Sequence, residues 1–236
     1  MKLFALDASG KTSSAAVLRD GEIAAESFLN VGLTHSGTLL AQVDDVLKAA
    51  SLTAGDIDCF AVTSGPGSFT GLRIAISVVK GLAFLSDRPC VAVSTLEALA
   101  YTALPFGYLT VPVINARRER VYTALYREDG SGMPEIIVGE GVQPVNRLPE
   151  ILGSFRDPAV FVGDAAEICS SCCKGRIECI PLSGERAYIR AGAVAEIALA
   201  KLKRGETVSA SALAPVYLQL SQAEREKLEA EVTGRC

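Results

Sequence analysis

The order of predicted secondary-structure elements constrains this chain most, because the same order occurs twice along its 236 residues. Apolar runs and an Asp-Gly turn predict three strands at residues 3–8, 14–18 and 22–29, followed by alternating helices and strands. The pattern restarts at residues 109–115, and placing residues 3–8 over 111–116 aligns the two sets. This order predicts an α/β fold of two duplicated halves, with mixed sheets covered on both faces and a cleft between the halves.

The remaining elements continue the alternation. Strands are predicted at residues 58–63, 90–93, 120–127, 136–140, 159–163 and 178–181. Helices are predicted at residues 36–50, 70–85, 95–102, 148–154 and 187–204, and a further helix is predicted to begin near residue 164. We expect an N-terminal α/β subdomain at residues 1–105 and a C-terminal one at 106–212. Residues 213–236 are expected to form an extended segment and a charged helix, begun by the Ser221–Glu224 capping box, that packs across the surface.

A single histidine, His35, limits the chemistry that one copy of this chain can perform. It cannot build an HExxH zinc helix or a two-histidine iron site. The formal charge of −4 argues against a domain that holds nucleic acid by itself. Seven cysteines, an odd number at irregular spacing, favour free thiols in a reducing cytosol. We therefore expect a cytoplasmic protein with no signal peptide and no membrane contact.

Four cysteines, Cys169, Cys172, Cys173 and Cys179, lie within eleven positions. A CxxC pair suits zinc, but a structural zinc site usually takes its second pair from a separate knuckle. Thiols of a helix and loop are therefore favoured over a metal site, and no metal is assigned.

A polar turn separates the first two predicted strands. Asp7, Ser9, Gly10 and Thr12 could hold a metal–phosphate group, because a carboxylate at a strand end is followed by glycine and hydroxyl groups. The alternative is a hairpin turn in which Gly10 adopts positive φ and the hydroxyls cap backbone groups. The turn lacks the upstream glycine of a Walker A loop.

A glycine-rich turn at residues 64–68 opens a long apolar helix. Free N–H groups at the start of this helix favour an anion-binding site. The alternative is that the turn serves only to reverse the chain, with Ser68 or Thr70 as the N-cap of the helix. The helix is apolar over nearly its whole circumference. Burial on all sides within the monomer is the default expectation, and a subunit interface is the alternative.

Five motifs occur along the chain: GPGSFTGLR at residues 65–73, VSTLEAL at 93–99, Ala116-Arg117-Arg118 with Val121-Tyr122, PVYL at 215–218 and SQAERE at 221–226. Together they resemble the TsaB (YeaZ) family. The motifs span nearly the whole chain in the family's order, and the first and last are highly specific. The resemblance implies an actin-like ATPase/sugar kinase (ASKHA) fold, in agreement with the repeated element order.

The resemblance also implies a non-catalytic scaffold subunit in the formation of N6-threonylcarbamoyladenosine in tRNAs that read codons beginning with A. The implied partners are a TsaD-like catalytic subunit, a TsaE-like ATPase and, for the chain alone, a second copy; tRNA is reached only through the complex. No catalytic residue and no cofactor is assigned to this chain, while ATP and Mg²⁺ can be held in the complex. The implied partner or dimer interface consists of His35, Leu39, Gly71, Leu72, Ile76, Val79 and Lys80.

Three positions depart from the family pattern: Asn115 stands where Asp is common, Ala75 where Gly is usual, and Gly37 where Glu often follows His-Ser. Asn115 removes a carboxylate from the second polar turn, which counts against phosphoryl transfer by this chain. Two other functions stay open at this point: a nucleotide-dependent small-molecule kinase of the same fold, which would use Asp7, and a glycoprotease-like protein. The latter needs a metal or nucleophile site that one histidine does not supply.

Overall fold

The computed structural model describes residues 1–32, 35–104 and 108–219, with the side chain of His35 excepted. The first half forms a five-stranded sheet in the order β3-β2-β1-β4-β5. Its strands are β1 (Lys2–Asp7), β2 (Ser13–Arg19), β3 (Glu22–Leu29), β4 (Cys59–Gly65) and β5 (Cys90–Ser94). β1, β2 and β3 pair antiparallel, whereas β1, β4 and β5 pair parallel, so the sheet is mixed.

The second half repeats this topology. Its sheet has the order β8-β7-β6-β9-β10 when read from the same side, with β6 paired antiparallel to β7 and parallel to β9. The strands are β6 (Leu109–Asn115), β7 (Arg120–Glu128), β8 (Pro134–Pro144), β9 (Ala159–Val162) and β10 (Cys179–Pro181). The duplicated α/β architecture expected from the element order is therefore confirmed. The expected boundary at residue 105 falls outside the described residues.

Within the described part of the chain, six α-helices cover the sheets: α1 (His35–Ala49), α2 (Phe69–Ser86), α3 (Thr95–Ala103), α4 (Leu148–Leu152), α5 (Ala166–Cys173) and α6 (Ala191–Lys203). α6 begins four residues later than the sequence predicts, because Gly184–Ala187 form a separate 3-10 turn and Arg190 is extended. α5 begins later as well, at Ala166, because Asp164 and Ala165 form a turn that precedes it. The predicted C-terminal helix lies outside the described residues.

The two halves exchange helices. α3 follows β5 of the first sheet but packs mainly on β6 and β7 of the second, and α6 follows β10 but packs on β1 and β2. α6 packs closely on the first sheet because its buried face consists largely of alanine, which allows close approach. Residues of both halves consequently share one core, in which Leu3, Val162 and Val194 are fully buried.

Polar contacts between the halves reinforce this arrangement. Lys201 of α6 donates to Glu97 of α3 at 2.6 Å, and both side chains are largely buried. Glu140 of β8 accepts from Ser94 at the end of β5 and from the Tyr126 hydroxyl at 2.9 Å. Burial, and then the neighbouring Glu140 carboxylate, raise the pKa of Tyr126 far above its ordinary value. The Tyr126 hydroxyl therefore stays protonated and donating at every physiological pH.

The exchange of helices predicts that the two halves unfold together. Leu96→Ala removes a fully buried side chain of α3 that packs with Ala124 and Tyr126 of the second half. We expect a loss of about 2–5 kcal/mol in unfolding free energy. Urea titrations followed by circular dichroism and by tyrosine fluorescence should give coincident, single transitions. Ile168→Ala, at a position 63% exposed, is the control and should change stability by less than about 0.5 kcal/mol. Two separate transitions would show that the halves are independent.

Candidate functional site

The turn between β1 and β2 is held together by Asp7, which is 1% exposed. One oxygen of its carboxylate, Oδ1, accepts hydrogen bonds from the Ser9 backbone N–H at 3.1 Å, the Ser9 hydroxyl at 2.6 Å and the Thr63 hydroxyl at 2.6 Å. The Thr63 bond joins the turn to β4. This oxygen is therefore engaged inside the protein.

The other residues assigned to nucleotide binding lie close by, but they are not equally accessible. Ser9 and Thr12 are buried, and only Gly10 is exposed. The expectation that Gly10 needs positive φ is wrong: its φ is not positive, and a Cβ there would meet open space. With Asp7 and both hydroxyl residues buried, the turn does not fit a Mg²⁺–nucleotide ligand in this conformation, and the nucleotide assignment stays a prediction.

The glycine-rich turn after β4 packs directly beneath the first turn. The Ser68 N–H donates to the Ser9 carbonyl at 2.7 Å, and a Cβ on Gly67 would lie 2.3 Å from that same oxygen. Only glycine permits this approach. The Ser68 hydroxyl then caps α2 by accepting from the Gly71 N–H at 3.2 Å, as the capping alternative predicted. The two turns thus support each other.

The segment after α6 is anchored along α2. The Val216 N–H donates to the Ser64 carbonyl at 2.7 Å, and Tyr217 stacks on Phe69 with ring centroids 4.9 Å apart. Arg73 lies over the Phe69 ring at 3.9 Å and donates to the Tyr217 hydroxyl at 2.8 Å. Sequence reasoning noted both motifs but could not pair them, because no local pattern links residues 144 positions apart.

The expectation that α2 is buried on all sides is wrong. One face packs on β4 and β1, whereas Phe84 and Leu85 on the rest of its surface are 77% and 87% exposed. By length and composition alone α2 could span a membrane, but a helix of this kind with one face packed in the protein core is typical of a globular domain. The interface alternative is therefore the one that the geometry favours.

The structure places the predicted interface residues mostly inside the chain. Leu39, Gly71, Leu72, Ile76 and Val79 are buried against the first sheet, so they have almost no surface for a partner. Half-buried Lys80 donates to the Ser211 and Leu213 carbonyls, each at 3.1 Å. The His35 side chain lies outside the described residues. Phe84 and Leu85, which sequence reasoning did not assign to the interface, are more exposed than Phe69, the apolar residue at the start of the helix.

The turn between β6 and β7 repeats the plan of the first turn. Asn115, aligned with Asp7, accepts from the N–H of Arg117 two residues later at 2.7 Å, as Asp7 accepts from Ser9. A Cβ on Gly163 would lie 2.2 Å from the Val113 carbonyl, as Gly67 approaches Ser9. Unlike Asp7, however, Asn115 is exposed, and Arg117, Arg118 and Glu119 all take positive φ.

The cysteine cluster is divided between buried and exposed thiols. Cys169 and Cys173 are buried, Cys172 is exposed and Cys179 is intermediate. Burial is the main reason that the pKa values of Cys169 and Cys173 rise to about 12. Within the described residues, no group of three or more His, Cys, Asp or Glu side chains is placed to hold a metal ion.

Comparisons with known proteins bear on the whole chain. The model of the family "TsaD: tRNA N6-adenosine threonylcarbamoyltransferase" matches residues 30–227. The tRNA threonylcarbamoyladenosine biosynthesis protein TsaB of Bacillus subtilis is 31% identical, over 98% of this chain and 100% of the relative. The chain belongs to the TsaB family. The TsaB of Escherichia coli is 30% identical, over 93% of this chain and 95% of the relative.

The fold agrees with this membership. The crystal structure of YeaZ from Pseudomonas aeruginosa superimposes with a TM-score of 0.80 at 30% identity, covering 92% of this chain and 99% of that one. Together with the duplicated mixed sheets, this match confirms the ASKHA-type architecture that the family resemblance implied.

The geometry of the first turn predicts a structural role for Asp7. Asp7→Ala should lower the unfolding free energy by about 2–4 kcal/mol, because the buried Ser9 and Thr63 donors lose their acceptor. Thr63→Val, which removes one donor, should lower it by about 1 kcal/mol. Urea unfolding measures both. If Asp7 instead binds nucleotide, calorimetry will show an ATP affinity that Asp7→Ala abolishes while stability is unchanged.

The thiol environments predict an order of reactivity. At pH 8 iodoacetamide should label Cys172 first among the described cysteines, because it is exposed. Cys59, Cys169 and Cys173 should stay unlabelled up to about pH 9, since burial raises their pKa values to about 12 and only the thiolate reacts. Peptide mass spectrometry reads the sites, and Cys172→Ser should remove the early product. Early labelling of Cys169 would contradict the packing of α5.

Proposed function

We propose that this chain is a non-catalytic scaffold subunit that is needed to form N6-threonylcarbamoyladenosine in tRNAs reading codons that begin with A. The observation that carries the proposal is the near full-length similarity to proteins named for the biosynthesis of this nucleoside. The match to the transferase family model supports a common ancestry with the catalytic subunit. Because tRNA modification is the process in which we propose that it acts, we also propose that the chain works in the cytoplasm.

A scaffold role is supported by the chemistry of the side chains. The sequence has one histidine, so a single copy cannot supply a pair of histidine ligands. Asp7, the carboxylate best placed for phosphate chemistry by sequence, is buried and accepts from Ser9 and Thr63. These features favour a subunit that contributes interfaces over a kinase of the same fold.

The exposed side of α2 supports a docking role. Phe84 and Leu85 are largely exposed there, and Leu40 of the neighbouring helix α1 is exposed too. Side chains of this size normally lie in contact with other apolar groups, so their exposure favours a protein partner. We assign this surface to a TsaD-like catalytic subunit and, when the chain is alone, to a second copy. A TsaE-like ATPase and tRNA join through the resulting complex.

Reconstitution tests the function. TsaD-like and TsaE-like proteins are combined with the enzyme that makes the threonylcarbamoyl donor and with unmodified tRNA, in the presence and absence of this chain. We expect modified nucleoside, measured by mass spectrometry of digested tRNA, only when the chain is present. Equal amounts of product without it would overturn the proposal.

The docking surface gives a mutational prediction. Leu85→Asp should abolish the homodimer and weaken binding of the catalytic subunit at least tenfold, because a charge would be desolvated at the interface. The circular dichroism spectrum of the monomeric variant should match that of the parent chain, since the side chain is 87% exposed in the monomer. Light scattering should report a mass near 24.7 kDa for the variant.

Leu72→Asp is the matched comparison on the same helix. Leu72 is fully buried, so the substitution should unfold the chain rather than separate folded subunits. A folded Leu85→Asp variant that remains a dimer would show that another surface forms the interface.

A further inference from the structure

We propose that the turn between β6 and β7 binds the phosphodiester backbone of RNA through Arg117, Arg118 and Arg120. The inference rests on the proposed function, since it gives this chain a direct contact with the RNA substrate, whereas the sequence led us to expect contact only through the complex. Two independent observations carry it: the backbone conformation of the turn and the state of its guanidinium groups.

The turn is strained at three successive residues. Arg117, Arg118 and Glu119 have φ values of 64°, 51° and 56°, although none is glycine. Residues other than glycine enter this left-handed region singly, at a cost of about 1–2 kcal/mol each. The corresponding turn of the first half, residues 8–12, contains no positive φ. The strain is therefore not required by the duplicated fold, and strain of this kind concentrates at functional sites.

Hydrogen bonds hold the turn in this conformation. The Ala116 N–H donates to the Arg120 carbonyl at 2.9 Å, and the Arg120 N–H donates to the Arg117 carbonyl at 3.1 Å. The Val145 N–H donates to the Glu119 carbonyl at 3.0 Å, which fixes the turn against the end of β8. The backbone that presents the three arginines is thus ordered before any ligand arrives, which reduces the entropy lost on binding.

The guanidinium groups of the turn are exposed and available. Among the described residues, the side chains of Arg117, Arg118 and Arg120 form no ion pair or hydrogen bond, whereas Arg127 pairs with Asp157 and Arg204 with Glu206. Residues 117–120 carry three positive charges and one negative charge in a chain whose net charge is −4. A local positive turn on an acidic protein attracts an anionic partner.

The surroundings favour RNA over an acidic protein. The apolar residues Ala116 and Val121 next to the turn are buried, and of the exposed residues beside it only Pro144, which pairs with Arg120, is apolar, whereas Asn146 and Arg147 are polar. A protein–protein interface needs an apolar centre, while surfaces for nucleic acids are polar and positive. The planar guanidinium fork also matches the oxygens of a phosphate. Contacts of this kind position RNA and read no sequence, so they would serve different tRNAs equally.

The salt dependence of tRNA binding tests the proposal. The complex of the full chain with its catalytic subunit is titrated onto labelled, unmodified tRNA between about 0.05 and 0.3 M KCl. Arg118→Asn is the main variant, because asparagine tolerates positive φ. We expect the slope of log K against log salt to become shallower by about 1 and the affinity at about 0.15 M salt to fall about fivefold.

Three further measurements separate a binding role from a structural one. Glu119→Gln should tighten binding, because it removes the one negative charge of the turn. Arg204→Gln, which removes an arginine paired with Glu206, should leave the slope unchanged. Arg118→Asn should keep or raise the unfolding midpoint, since strain is relieved while RNA affinity falls.

An unchanged slope for Arg118→Asn in an intact complex would overturn the proposal. The proposal would also be overturned if Arg118→Asn weakened binding of the catalytic subunit in the absence of RNA. That result would identify the turn as a protein contact instead. The proposed function fails if modification proceeds without this chain, whereas this inference fails if the salt dependence is insensitive to the arginines.

Discussion

The packing of α6 on the first sheet, beside α3, is the interaction on which the rest of the structure depends. Its alanines allow β1 and β2 to approach on one side, while Val194 and its neighbours share a core with Val162 of the second sheet. α3 makes the reciprocal contact with β6 and β7. Because each half is completed by a helix from the other, neither sheet has a closed core by itself, and the turns at the strand ends are fixed in relation to one another.

Duplication gave the chain two similar turns that now differ in exposure. Asp7 and Asn115 each accept a hydrogen bond from the N–H two residues later, and a glycine packs against the backbone of each hairpin. In the first turn the polar side chains face inward and hold β1 to β4. In the second, backbone hydrogen bonds and the side chains of Asn115 and Asp164 hold the turn, and its arginines remain on the surface. The same local hydrogen-bond pattern thus accompanies buried polar side chains in the first turn and accessible arginine side chains in the second.

Strands and most helices were predictable, because their apolar periodicity reflects burial in a covered sheet. Residues 109–115 were predicted as a strand and form β6 with those bounds, and the order of elements revealed the duplication. The exposed side of α2 was not predictable, since an apolar residue gives the same sequence pattern whether its side chain faces a sheet or solvent. Leu72 and Leu85 illustrate this: both are leucines of one helix, yet one is fully buried and the other 87% exposed.

The sequence by itself determined the architecture and the family, because element order and the motifs GPGSFTGLR and PVYL are local properties of the chain. Tertiary structure decided which residues are accessible. It turned Asp7 inward, exposed Phe84 and Leu85, joined Arg73 to Tyr217 and forced Arg117–Glu119 into the left-handed region. The physical reason is that burial, long-range hydrogen bonds and backbone strain arise only when segments far apart in the chain compete for the same space.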